Sequence, residues 1–125
     1  MKQSQIDNFV DGGRLTGDWQ EPRKDGPHGG IDIGPPQSGQ TGVEVRAGID
    51  GTVTFVGGNY GSVTIKTSDE YTIQYLHLNE IFVKRDDKVD SNTVLGEMGG
   101  RGPEGPNQYN IGLTQNDRKT ARYGV

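Results

Sequence analysis

The sequence contains no cysteine and only two histidines. The first absence excludes disulfides and thiolate metal sites. The second restricts any imidazole-based metal binding or proton transfer to His28 and His77. Tryptophan occurs once, as Trp19. No apolar run approaches the roughly 18 residues that a membrane-spanning helix needs, so membrane insertion is not expected. The opening MKQSQIDNFVDGG lacks the apolar centre of about 7–15 residues that marks a secretory signal. A basic excess is missing too. Lysine and arginine total 13 against 17 acidic residues, a net charge of -4 with no block of one sign. Nucleic acid, which selects for a basic face, is therefore not an expected partner.

What is present favours strands. Valine, isoleucine and threonine total 28, whereas alanine and leucine total 7. Branched side chains lose rotamer freedom in helices and pack well on a pleated surface. With 125 residues and 21 glycines, the chain is expected to form one mostly β domain over residues 1–125 with a thin core. Residues 1–12 read as a polar N-terminal arm and residues 114–125 as a C-terminal tail, both poorly ordered when alone.

The strand signals are regular from Val43 onward. VEVRA alternates. GTVTFVGG places Val53 and Phe55 on one face, with Thr52, Thr54 and Val56 on the other. NYG turns the chain, and SVTIKT alternates again with Val63 and Ile65 inward. After SDE, YTIQYLHL places Tyr71, Ile73, Tyr75 and His77 on one face, toward a cleft or a second sheet. GIDIG, IFVK, TVLGEM and QYNIGL supply further short strands, PPQSGQTG is a loop, and no long amphipathic helix is apparent.

HGGID runs from a glycine turn into a strand, so His28 and Asp32 could converge as two metal ligands or simply hydrogen-bond as a surface pair. Far downstream, YLHL puts His77 beside Tyr75. The ordered segments GRLTGDW, HGGIDIG, GVEVRAGIDGTVTFVGGNYGSVTI and YTIQYLHLNEIFVKRDDKVDSNTVLGEMGGRGPEGP together resemble the lysostaphin/LytM-type zinc metallopeptidases, which cut peptide cross-bridges in bacterial peptidoglycan. The resemblance runs from about Gly13 to Leu113. It implies a two-layer, antiparallel β-sheet fold, like a duplicated hybrid motif.

In that family the H-x-x-x-D pair ligates zinc, a later H-x-H strand supplies the third ligand with its second histidine, and the remaining two histidines serve catalysis. Carried over, His28 and Asp32 match the first two ligands and His77 matches a catalytic histidine. Where H-x-H should follow GRGPEGP, the chain has NQYNIGL. Gln108 then replaces the catalytic histidine and Asn110 the third ligand, and both amides are expected to hydrogen-bond with His77 and His28. Arg14 and Arg23 match positions bordering the family's cleft or are surface charges. Trp19 is a core anchor or a cleft wall.

An amide is a poor zinc ligand beside imidazole, and Gln108 cannot carry a proton near neutral pH. A positioned acid–base group contributes roughly 10²–10⁴ in rate. The resemblance thus implies a catalytically incomplete domain with no cofactor expected, zinc being held weakly if at all. Its role is expected to be binding or structural. Other subunits of an assembly, peptidoglycan peptide, or both are the expected partners, and a phage tail or baseplate at the cell wall is a plausible setting. The alternative is an active endopeptidase whose third ligand is Glu104 or Asn110. Phosphotransferase IIA proteins and biotinyl or lipoyl carriers share related sheet topology, but TVLGEMGG has no lysine at the hairpin tip that a carrier modifies.

Overall fold

The structure is a computed structural model and describes residues 2–18, 22–24, 26–27, 30–99, 101–102, 105–106 and 111–114. In chain order the elements are α1 (Gln3–Asp7), β1 (Arg14–Gly17), β2 (Pro22–Arg23), β3 (Gly26–Pro27), β4 (Gly30–Gly34), β5 (Glu44–Arg46) and β6 (Gly51–Gly57). They continue with β7 (Ser62–Lys66), β8 (Thr72–Leu76), β9 (Leu78–Ile81), β10 (Lys88–Val89), β11 (Val94–Met98), β12 (Arg101–Gly102), β13 (Gly105–Pro106) and β14 (Ile111–Thr114).

Among the described residues, a seven-stranded sheet runs β1-β4-β14-β8-β7-β6-β10 and a three-stranded sheet runs β5-β11-β9. Every pairing in both is antiparallel. This is the expected mostly β, antiparallel two-sheet architecture. Two further pairs, β2-β3 and β12-β13, are two-residue ribbons.

The core lies between the sheets. Ile31, Ile33, Val63, Ile65, Ile73 and Tyr75 contribute from the larger sheet, and Val45, Leu78, Leu95 and Met98 from the smaller. Tyr75 is fully buried, and its hydroxyl donates a hydrogen bond to the carbonyl of Ala47 just beyond β5. A buried phenol needs such a partner, and this one ties the larger sheet to the smaller.

Two expectations are corrected by this packing. The segment read as an arm is part of the fold. Residues 3–7 form α1, and Ile6, Phe9 and Val10 are all buried in the core. These three side chains fall three and four residues apart, the spacing of one helical face, but they stand among polar neighbours and make a weak composition signal. The Phe9 and Tyr75 rings lie 6.3 Å apart at 56°. Arg46 reinforces the join: its backbone N–H donates to the Phe9 carbonyl at 2.7 Å and its guanidinium to the Asp7 carbonyl. Gly48 lies against the same ring with φ 70°, and a Cβ there would fall 2.7 Å from Phe9 Cε1.

The second correction concerns β6. Its register with β7 shifts between Val53 and Phe55. This bulge inserts an extra residue and inverts the phase of the strand. Val53 is fully buried, whereas Phe55 is 48% exposed, so the two do not share a face. The strands expected at VEVRA, SVTIKT, GIDIG and TVLGEM are present as β5, β7, β4 and β11. The tail beyond Thr114 lies outside the described residues.

Truncating Phe9→Ala is expected to lower stability by about 3–5 kcal/mol, the usual cost of emptying a buried aromatic site. Urea denaturation measures it. An unchanged midpoint would contradict a packed N-terminal helix.

Candidate functional site

Asp32 sits in the middle of β4, whose remaining residues are all buried while Asp32 itself is half-buried. Ile31 and Ile33 point into the core, so alternation sends the Asp32 side chain to the opposite, outer face of the larger sheet. On one flank Asp32 pairs with Gly17 of β1, across a register shift. On the other it pairs with Gly112 of β14, which in turn pairs with Leu76 of β8. The next row runs Gly30, Thr114, Gln74 and Thr64. The carboxylate therefore stands between two positions that carry no side chain.

His77 lies at the end of β8, one residue past Leu76, and is half-buried. It does not continue the strand. Its φ is 71°, a left-handed value uncommon for a residue other than glycine. Its N–H donates to the Tyr60 carbonyl at 2.6 Å and its carbonyl accepts from Gly99 N–H at 3.5 Å. The Tyr60 and His77 rings meet edge to face, 6.0 Å apart. The expectation of one face shared by Tyr71, Ile73, Tyr75 and His77 is thus corrected. Ile73 and Tyr75 face the core, Tyr71 is 37% exposed, and the backbone inversion takes His77 out of the alternation.

Arg14 is exposed, and its Nε donates to the Pro35 carbonyl at 2.7 Å, which fixes it beside the exit of β4. Trp19, His28, Glu104, Gln108, Asn110 and the side chain of Arg23 lie outside the described residues. The structure therefore places Asp32 and His77 at neighbouring parts of the sheet, on strands that both flank β14 or lead directly from one that does. The residue that sequence reasoning missed is Gly112. A signal was present, because Ile111 and Leu113 alternate around it, but glycine offers no side chain to attract notice.

A separate cavity of about 640 Å³ lies toward β10, lined by Asp50, Thr52, Lys66, Thr67, Lys88 and Asp90 among others. It stands at the opposite edge of the larger sheet from β1 and β4. Two lysines and two aspartates line it.

The family model described as Peptidase family M23 matches residues 26–120. A variant of the catalytic domain of the prophage-encoded M23 protein EnpA from Enterococcus faecalis superposes with a TM-score of 0.66 at 28% identity, covering 84% of this chain and 78% of that one. The catalytic domain of the antimicrobial peptidase lysostaphin from Staphylococcus simulans gives 0.65 at 18% identity, covering 94% and 90%. A chain of the SpoIIQ–SpoIIIAH pore forming complex gives 0.69 at 22%, covering 85% and 78%. The chain spans only 32% of a larger zinc-containing peptidase from Vibrio cholerae with the same fold. No curated protein sequence matches the chain.

A zinc ion of the kind such folds imply needs three protein ligands and a water. Among the described residues, no group of three or more histidine, cysteine, aspartate or glutamate residues is placed to hold a metal ion. Both cross-strand neighbours of Asp32 are glycines. The strands on either side of Asp32 therefore do not supply a directly opposed donor, and the described positions do not fit the three-ligand set.

The inverted backbone at His77 generates a direct prediction. A β-branched residue is strained at φ 71°, whereas glycine is not. His77→Val is expected to be less stable than His77→Gly by about 1–3 kcal/mol. Parallel thermal or urea melts compare the two, and equal stability would argue against the left-handed corner.

Proposed function

The chain belongs to peptidase family M23, and within that family we propose that it is a non-catalytic binding or assembly module built on the peptidase fold. The observation that carries this reading is the glycine pair flanking Asp32, in a chain with two histidines and no cysteine. Peptide hydrolysis by a metal needs a polarised water and a group that handles its proton. If His28 and Asp32 act as ligands, His77 is the one remaining imidazole, and it cannot serve both as third ligand and as proton carrier. Gln108 and Asn110, which the sequence resemblance sets at the histidines of the family pattern, retain hydrogen-bonding capacity and lack that chemistry.

A sheet face with the Asp32 carboxylate and the Gln74 amide in adjacent rows, and glycines directly opposite Asp32, suits recognition of an extended peptide. Close approach of a ligand backbone is possible wherever no Cβ intervenes. Peptidoglycan peptide or a segment of a partner subunit has the required extended, hydrogen-bonding character. The occurrence of the same fold in a SpoIIQ–SpoIIIAH pore forming complex supports an assembly role. The 28% identity to a prophage-encoded M23 protein supports a phage particle as the setting, with a tail or baseplate acting at the cell wall as the specific proposal.

Incubation of the purified chain with peptidoglycan sacculi and zinc is expected to release no new amine termini, while sedimentation or native-source fractionation finds the chain with a wall or particle fraction. Release of amine termini that stops with a chelator would instead establish an active endopeptidase with an altered ligand. Recovery solely as a free monomer would remove the assembly role.

A further inference from the structure

We infer that Gly112 is the position at which the metal site is broken, an inference that rests on the non-catalytic reading above. The register of β14 carries it. Ile111 lies opposite Ile33, Gly112 opposite Asp32, and Leu113 opposite Ile31. Ile31 and Ile33 are fully buried and Asp32 is not. With a period of two, positions 111 and 113 take the core-facing register and position 112 takes the register of Asp32.

Distance then selects among candidate positions. Directly opposed residues of an antiparallel pair have Cβ atoms about 4.5–5.5 Å apart, and diagonal neighbours about 7–8 Å. Donors bound to one zinc lie about 2.0–2.2 Å from the ion. A short aspartate side chain therefore shares an ion most readily with the residue directly across from it. On β14 that residue is Gly112, and on β1 it is Gly17. The H-x-H pattern placed on Gln108 and Asn110 is thereby moved along the strand by one step of its period. In the sequence Asn110 then matches the first histidine and Gly112 the second, with Ile111, opposite Ile33, between them. The ligand was not exchanged for a weaker one. Its side chain is absent.

Replacing glycine within a strand also removes a backbone entropy cost. Together with His28 and Asp32, a histidine at this position would complete a three-residue ligand set of ordinary composition for zinc.

The experiment is calorimetric titration of zinc chloride into the wild-type chain, Gly112→His, Asn110→His and the double variant Gln108→His/Asn110→His. Gly112→His is expected to bind zinc at least tenfold more tightly than wild type, and to lose the gain when Asp32→Ala is added. The other two variants are expected to match wild type. A gain in Asn110→His or the double variant without one in Gly112→His overturns the inference. If circular dichroism shows that Gly112→His does not fold, cysteine pairs report the register in a chain that has no native cysteine. Asp32→Cys/Gly112→Cys is expected to close an intramolecular disulfide under oxidised glutathione, since bridged Cα atoms lie about 4.4–6.8 Å apart, while the diagonal pair Asp32→Cys/Thr114→Cys is not. The reverse pattern overturns the inference. A wild-type chain that itself binds zinc tightly overturns the proposed function, and the cysteine pairs separate that failure from a failure of the register.

Discussion

Between Leu76, which ends β8, and Leu78, which begins β9, the chain leaves the seven-stranded sheet for the three-stranded one in a single residue. An unbroken strand would send Leu78 to the face opposite Tyr75. The left-handed backbone of His77 cancels that phase, and both side chains enter the same core. The cost of such a conformation, about 1–3 kcal/mol, is sustained only where the surroundings over-determine it. Here the tip of the β6–β7 hairpin does so, through the Tyr60 carbonyl on His77 and the Gly61 carbonyl on Leu78. The bond from Tyr75 to Ala47, with the Phe9 ring beside it, joins the same two sheets. The architecture needs the left-handed backbone at position 77, which glycine would adopt at no cost, so the corner explains the conformation and not the choice of histidine.

Asp32 differs. The buried contacts of β4 come from Ile31 and Ile33, and the Asp32 side chain takes the outer face. Its cross-strand neighbours Gly17 and Gly112 place no side chain on either side of it. A polar side chain set in a floor of backbone can bind an extended chain by hydrogen bonds while lacking the convergent donors of a metal centre. The M23 fold is kept, and the strand positions directly opposite Asp32 are glycines.

The framework was largely legible in the amino-acid sequence because it rests on alternation. Val63 with Ile65, and Ile73 with Tyr75, read as inward pairs and are so. Three features escaped for distinct reasons. The bulge in β6 is a property of pairing with β7, not of local composition, and it turned Phe55 outward. Helix α1 has five residues and gains its stability from Phe9, Val10 and Ile6 in the core, since a helix so short is not stable alone. Gly112 escaped because the motif was sought as a pair of polar side chains, and the position that faces Asp32 has none. Of the candidate site, the carboxylate and the corner histidine were recognised as residues, whereas their placement relative to β14 required the register. His28, Gln108 and Asn110 lie outside the described residues.

The central claim is that this member of the family keeps the fold without a metal-dependent reagent. Elemental analysis tests it most directly: the chain is expressed with supplemental zinc, purified without chelator and examined by plasma mass spectrometry. The account predicts zinc far below one equivalent per chain, because the strands flanking Asp32 supply no directly opposed ligand. One tightly retained zinc per chain would contradict it.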